Sequence, residues 1–340
     1  MENLVNDKYH SLSGLNILVT GGTGVIGSWL IKKLVKLGLN TTILLWGDKL
    51  NPELERTNLL DLTTNVQGSL TDMKLLESIV QQHQINLVFH LGAQAIVETA
   101  LADPFTTFES NIRGTYNLLE ACRTNNQNVK GIIVASSDKA YGTHANLPYT
   151  ENASLNGIYP YEVSKSCTDL LARSYGLTYN LPVSIARCGN VYGGGDLNWN
   201  RIIPGTILEL FNERNPVLRS DGSHVRDYIY VEDIVDGYLT LASNTVCGIE
   251  YGQAFNFGNN NPVSVINLVE TITKYMGKEH LQPKITNTAH GEIHSQYLDS
   301  SKANHLLQWE PQYSLETGLI QTIEWYTDFL SNSHDKSKTR

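Results

Sequence analysis

Two short stretches bring residues that can move protons close together in the chain. Residues 159–165 read YPYEVSK, with Tyr161 and Lys165 four positions apart. On a helix that spacing puts both side chains on one face. A tyrosine with its ordinary pKa near 10 is a poor base at neutral pH, and a neighbouring ammonium favours the phenolate. Lowering the phenol by about 3 units takes roughly 4 kcal/mol. A Tyr–Lys pair also arises by chance, so its surroundings decide its weight. Residues 136–142 read SSDKAYG, directly after the apolar run KGIIVA. A buried strand therefore ends in Ser136, Ser137, Asp138 and Lys139: two hydroxyls, an acid and a base. Such an end can be an ordinary loop carrying a solvated ion pair. It can also be a set that donates and removes protons.

These residues need a scaffold, and the first half of the chain predicts one. NILVT (16–20), TTILL (41–45), INLVFH (85–90), GIIVA (131–135) and VSIAR (183–187) read as strands. Helical patterns separate them, at 25–38 with Gly38 as a stop, at 71–83 behind a Thr71 cap, and from about Tyr161 to Tyr179. Phe105, Phe108, Ile112, Tyr116 and Leu119 step along one face of a further helix. Alternation of this kind predicts right-handed β–α–β units and a parallel sheet covered on both faces. Ligands bind such sheets at the carboxyl ends of the strands. SSDKAYG stands at one such end and TGGTGVIG at another.

TGGTGVIG places Gly21, Gly24 and Gly27 between a strand and a helix. Glycines there allow a tight turn, and the helix start offers free N–H groups and a positive dipole end to a pyrophosphate. The alternative is a turn required only for packing. The second strand ends LLWGDK, so Leu45 or Trp46 stands where a carboxylate often holds the ribose of NAD, and Asp48 follows two to three residues later. No arginine marks a 2′-phosphate. The cofactor expected is NAD, with NADP left open.

After about residue 188 Gly, Asn, Asp and Pro become dense, which predicts a smaller second domain closing over the sheet edge. The net charge of −9 argues against a nucleic-acid or anionic-membrane binder. Four cysteines lie far apart without a CxxC pair, so neither a zinc site nor a disulfide framework is suggested. Reduced thiols fit a cytoplasmic protein. The polar start MENLVNDKYHSLSG lacks an apolar signal core, no apolar run is long enough to span a membrane, and SNSHDKSKTR (331–340) reads as a solvated, flexible tail.

Taken in order, TGGTGVIG, FHLGAQA, NIRGTYNLLEA, ASSDKAYG, YEVSK and RCGNVYGGGD resemble the extended short-chain dehydrogenase/reductases that act on nucleotide sugars. The resemblance runs from about residue 13 to 329. It implies an α/β fold: a Rossmann-type doubly wound parallel sheet over 13–187, completed by segments near 228–260. A smaller α/β substrate-binding domain would take most of 188–330. The cofactor contacts it implies are Gly21, Thr23, Gly24, Val25, Ile26, Gly27, Ser69, Leu70, Leu91, Gly92, Ala93, Asn111, Tyr161 and Lys165.

Within that family the strand end discriminates. Many nucleotide-sugar 4,6-dehydratases carry a hydroxyl, an aspartate and a glutamate there, and in those resembling CDP-glucose 4,6-dehydratase the last of the three is lysine. Ser137, Asp138 and Lys139 match that type, as do RCGNVYGGGDLNWNRIIP and QYLDSSKANHLLQW. The resemblance implies that Tyr161 takes the proton from sugar O4, that Ser137 orients O4, that Asp138 is the acid at O6 and that Lys139 is the base at C5. A basic lysine needs its pKa lowered by about 3 units, which burial and the Lys165 cation would favour. By the same resemblance Gln94, Ser137, Asn190, Arg201, Ile202, Arg226 and His294 contact the nucleotide sugar. One departure stands out. Many relatives place an arginine just before the segment reading IHSQYLD (293–299), where this chain has His294 and Gln296.

The leading expectation is a CDP-glucose 4,6-dehydratase-like lyase. A 4-epimerase or related oxidoreductase on the same scaffold is the second, and a catalytically silent nucleotide sensor the third. The partner expected is a nucleotide sugar, with no nucleic acid and no membrane. Two-helix dimers are common in this superfamily, so a homodimer through helices beginning near Asp103 and Tyr161 is expected.

Overall fold

The computed structural model describes residues 8–125, 127–288 and 293–338. The first half of the polar start, residues 1–7, and the last two residues of the expected tail lie outside them. Seven strands form the main sheet: β1 (Asn16–Thr20), β2 (Asn40–Leu45), β3 (Thr64–Gln67), β4 (Leu87–His90), β5 (Gly131–Ser137), β6 (Val183–Cys188) and β10 (Gln253–Phe257). Their spatial order is β10–β6–β5–β4–β1–β2–β3, with every neighbouring pair parallel. The order reverses between β1 and β4, where a doubly wound sheet opens a crevice for a ligand.

Both faces of the sheet are covered because its strands are apolar at consecutive positions rather than alternate ones. Along β1, Ile17 and Val19 enter one core and Leu18 the other. On β5, Ile133 faces the first core and Ile132 and Val134 the second. Helix α1 (Val25–Lys36) brings Leu30, Ile31 and Leu34 to the first face. Helices α2 (Met73–Gln82), α3 (Gly114–Thr124) and α4 (Pro160–Tyr179) bring Leu76, Ile79, Leu118, Leu119 and Ala172 to the second.

The remaining strands form two smaller sheets. β9 (Val225–Tyr230) pairs with β7 (Asn190–Tyr192), β11 (Pro262–Ser264) and β13 (Ser295–Gln296), while β8 (Val217–Leu218) pairs with β12 (Lys284–Ile285). Helix α5 (Ile202–Phe211) starts at the residue after Arg201. Helix α6 (Val231–Val246) returns to the main sheet and packs Ile234, Val235 and Tyr238 into the first core.

The glycine run 193–195 is a packed joint. Trp29 Nε1 donates to the Gly194 carbonyl at 2.8 Å and Asn51 Nδ2 to the Gly195 carbonyl at 2.9 Å. Two aromatic residues of the last helix, α7 (Leu315–Lys338), complete it: a Cβ on Gly194 would collide with Trp325, and Tyr326 donates its hydroxyl to the Asp196 carbonyl at 2.7 Å.

Some local expectations fail for identifiable reasons. The stripe from Phe105 to Leu119 is not one helix face. A helix at Pro104–Phe108 passes into a π-helical turn at Glu109–Arg113 before α3 begins, so Phe105 stays exposed while Leu119 is buried. The wide turn changes the helical phase by part of a residue step. Asp72, not Thr71, caps α2, accepting from the Leu75 amide at 3.0 Å. The backbone of the expected tail is helical as far as Lys338, since α7 continues through it. Among the described residues no helix is long and apolar enough to cross a membrane.

Candidate active site

The loops after β1, β3 and β4 meet at one place. Gly21 has φ +72°, and a Cβ there would stand 2.6 Å from the Gly92 nitrogen, so only glycine lets the first turn approach the β4 loop. A Cβ on Gly27 would strike the Gly21 carbonyl. Gly24 caps α1 in an extended conformation with no side chain on the helix start, and Gly24 is itself exposed. Thr23, Val25 and Ile26 share this turn and are half-buried. Leu91 and Gly92 donate their amides to the Thr20 carbonyl and hydroxyl, both at 3.1 Å. Ala93 follows them, and Leu70 lies against Gly92 and Gly114 behind the half-buried Ser69. The open helix start and the glycine floor fit the pyrophosphate of a dinucleotide. At the β2 end no carboxylate lies in the strand; Trp46 is 75% exposed and Asp48 is exposed beyond it.

Asn111 acts as a clamp in the π-helical turn. Its side chain accepts from the Gln94 amide at 2.7 Å and donates to the Gln94 carbonyl and the Ser164 hydroxyl, both at 2.9 Å. It thereby ties the β4 loop to α4, the helix of Tyr161 and Lys165. Gln94 directs its own side chain to Ile96 and Thr107 within that region.

The carboxyl end of β5 holds the acid–base cluster. The Ser137 hydroxyl donates to Asp138 Oδ1 at 3.0 Å and also hydrogen-bonds the phenol of Tyr161. Asp138 is 2% exposed, and its Oδ2 has no hydrogen-bond partner among the described residues, although Lys139 Nζ stands 3.7 Å away. A buried carboxylate oxygen left without a donor marks a site rather than a scaffold. Burial is the main influence raising Tyr149, Tyr161, Cys188 and Asp227, and the Asp138 charge adds to each.

The phenol is not lowered as expected. Burial pushes half-buried Tyr161 up to about 12, with Arg201 the largest opposing influence and Ser137 a smaller one. Lys165 directs its ammonium to the Ala135 carbonyl at 2.8 Å, and burial lowers it to about 8. The same burial, aided by the Lys165 charge, holds His90 down to about 3, so this imidazole is a neutral bridge between Thr20 and Thr115.

Behind the cluster lies a buried network that the sequence did not announce. Arg187 on β6 makes two 2.8 Å bonds to Asp169 on α4 and donates to the Tyr141 hydroxyl at 2.8 Å. Tyr141 in turn donates to Asn256 Oδ1 at 2.7 Å. Tyr141 ends the 3-10 turn Asp138–Tyr141, so this network fixes the backbone that carries Asp138 and Lys139.

Among the expected substrate contacts, Asn190 donates to the Asp227 carbonyl at 3.4 Å, and Arg201 holds Asp196 at 2.9 Å just ahead of half-buried Ile202. Arg226 is buried and donates to the His294 carbonyl at 3.0 Å. His294 is exposed, with its ring 5.3 Å from that of His224. Gln296 is fully buried. Its Oε1 accepts from Lys139 Nζ and its Nε2 donates to the Asp138 carbonyl at 3.0 Å. The sequence marked it only as a departure, with His294, from an arginine that many relatives carry, which cannot show where that strand docks.

A dinucleotide cradle at one strand end and a Tyr–Lys helix beside another, on one parallel sheet, is the layout of the short-chain dehydrogenase/reductases, and the chain is one of them. It belongs to the GDP-mannose 4,6 dehydratase family, whose model matches residues 18–322. It is 29% identical to dTDP-glucose 4,6-dehydratase 1 of Escherichia coli (strain K12), over 94% of each chain. It is 28% identical to CDP-glucose 4,6-dehydratase of Salmonella typhimurium, over 93% of this chain and 92% of that one. Among solved structures, UDP-glucose 4-epimerase of Thermotoga maritima with UDP-glucose superposes with a TM-score of 0.84 at 29% identity, covering 93% of this chain and all of that one. The dTDP-glucose 4,6-dehydratase DesIV of Streptomyces venezuelae, with NAD bound, gives 0.82 at 26% identity, covering 92% and 97%. Together these define a nucleotide-sugar dehydratase or epimerase.

Proposed function

We propose that the protein is an NAD-dependent nucleotide-hexose 4,6-dehydratase of the CDP-glucose type. The observation that carries this reading is the pair of buried Asp138 and half-buried Lys139 at the end of β5, beside Ser137 and Tyr161. An epimerase needs to remove and return hydride at C4 only, and has no use for a second acid–base pair. NAD is supported by its presence in the DesIV structure and by the fit of the glycine cradle.

When bound, the cofactor supplies a hydride acceptor for C4, the hydride returned to C6, and a positive charge near the phenol. Tyr161 takes the O4 proton as C4 is oxidised, with Ser137 orienting O4. The new ketone acidifies C5–H, and Lys139 removes that proton. The C5–H electrons form the C5=C6 bond as the C6–O6 bond breaks, and Asp138 gives O6 the proton with which water leaves. Lys139 returns its proton to C5 when C6 is reduced, and the proton held by Tyr161 balances the one Asp138 has given. Arg226 and Arg201 are placed to receive the diphosphate, for which a guanidinium offers paired donors.

Mass spectrometry with CDP-, UDP-, dTDP- and GDP-hexoses in heavy water tests the reading. The expected product has lost one water and gained deuterium at C5, from the CDP sugar above the others. Unchanged mass with a new C4 epimer would assign the chain to the epimerases instead.

We also infer a homodimer. Leu101, Phe105 and Tyr116 lie exposed along the helices around α3, and Leu170 and Leu177 along α4. Apolar side chains on two adjoining helices suit packing against a second copy. Light scattering is expected to give twice the chain mass, and Phe105→Glu to shift it toward one copy.

A further inference from the structure

Gln296 occupies a position that the proposed reaction does not yet explain. β13 is only two residues long and is held on two sides. On one side Gln296 lies in register with Arg226 of β9, and Arg226 donates to the His294 carbonyl at 3.0 Å. On the other, the Gln296 carboxamide reaches the end of β5, where it contacts both catalytic residues: the ammonium of Lys139 and the backbone carbonyl of Asp138. The neighbouring segment is anchored too, since Tyr149 donates its amide to the Tyr297 carbonyl and accepts from the Asp299 amide, both at 2.9 Å. The carboxamide is fully buried, so its orientation is set by these contacts rather than by solvent.

A carbonyl oxygen on an ammonium favours the charged form, and so does a carboxylate 3.7 Å away. Lys139 must be neutral to take a proton from C5. The ionisable groups around the pair are Tyr149 and Tyr161, Cys188 of β6, and Arg226 and Asp227 of β9.

We propose that Gln296 is a positioning residue for the elimination. It holds the Lys139 ammonium beside the Asp138 carboxylate and so sets the pH at which the pair loses the proton the two share. The inference rests on the dehydratase reading for its kinetic consequence, but not for the contact itself. Removing the acceptor lets Lys139 lose its proton at lower pH, and a carboxylate in its place delays that loss. Above the Lys139 titration the pair has lost the proton that Asp138 must give to O6, so the alkaline limb of the elimination rate moves in the same direction as that titration.

The test compares the full-length chain, loaded with NAD, with Gln296→Met and Gln296→Glu. Lys139 is labelled with an amine reagent across pH and quantified by peptide mass spectrometry, and water loss from the nucleotide hexose is followed over the same range. The expected result is a labelling midpoint and an alkaline limb that both move down in Gln296→Met and up in Gln296→Glu. Turnover in Gln296→Met is expected to fall by about 10²-fold, with KM changed far less than kcat. Unmoved midpoints in both variants overturn the proposal, even when turnover falls. Moved midpoints in a wild-type chain that dehydrates no nucleotide hexose would keep the contact and defeat the dehydratase reading alone. Should Gln296→Met fail to fold, the near-isosteric Gln296→Glu decides by the same midpoint.

Discussion

Replacing Tyr161 by phenylalanine is expected to lower turnover by about 10²–10⁴-fold, the usual worth of one positioned proton-transfer group. The ring would still fill its half-buried place at the start of α4, so binding of the nucleotide sugar should change little. The lost group is the hydroxyl that Ser137 hydrogen-bonds and that Arg201 pulls toward its ionised form. Burial is the main reason this phenol is pushed up to about 12, so its ability to accept a proton depends on nearby positive charge. The defect should appear in the first half-reaction. Rapid mixing with substrate should show no rise in the absorbance of reduced cofactor, whereas Asp138→Asn should show the rise and then stall before water loss. Full cofactor reduction in Tyr161→Phe would remove Tyr161 from proton transfer at O4.

The second large effect concerns stability. Asp169→Leu is expected to destabilise the fold by about 3–5 kcal/mol, because it leaves a guanidinium buried without its partner. Both side chains are nearly inaccessible, 5% and 0% exposed for Arg187 and Asp169. Arg187 would then keep only neutral acceptors, among them the Tyr141 hydroxyl and the Glu151 carbonyl. Combining Asp169→Leu with Arg187→Met should recover most of the loss, since an apolar pair of similar volume often replaces a buried ion pair at little cost. Urea unfolding of the three variants measures this directly. Turnover should not recover with stability, because the double variant still lacks the bond from Arg187 to Tyr141 that anchors the turn of Asp138 and Lys139. A double variant as unstable as Asp169→Leu would mean that the pair is not the source of the loss.

The parts legible in the sequence are those that depend on local spacing. The glycine turn at 21–27 shows itself because a strand, three glycines and a helix must follow in order. SSDKAYG shows itself because four polar residues in a row are unusual at the end of a buried strand. β3 was not legible, since Thr64–Gln67 is a polar edge strand with no apolar run. The break in the Phe105–Leu119 stripe was hidden because a π-helical turn leaves no compositional mark. Gln296 and the Arg187 network lay out of reach for another reason. Each acts across sequence separations that no periodicity records, 157 positions from Lys139 in the first case.

The joint at Gly193–Gly195 has a consequence for the order in which the protein becomes competent. Trp325 bonds Glu53 across a separation of 272 residues, and the loop that leads to Arg201 sits between the first helix and the last. Chains emerge from the ribosome amino end first and their early regions begin to fold while synthesis continues. The glycine cradle and the β3 and β4 loops it meets all lie in the first half of the chain and so can form early. The substrate-side loop cannot settle until the final helix has been made. A nascent chain of this protein is built to hold its cofactor before it can accept anything to act on.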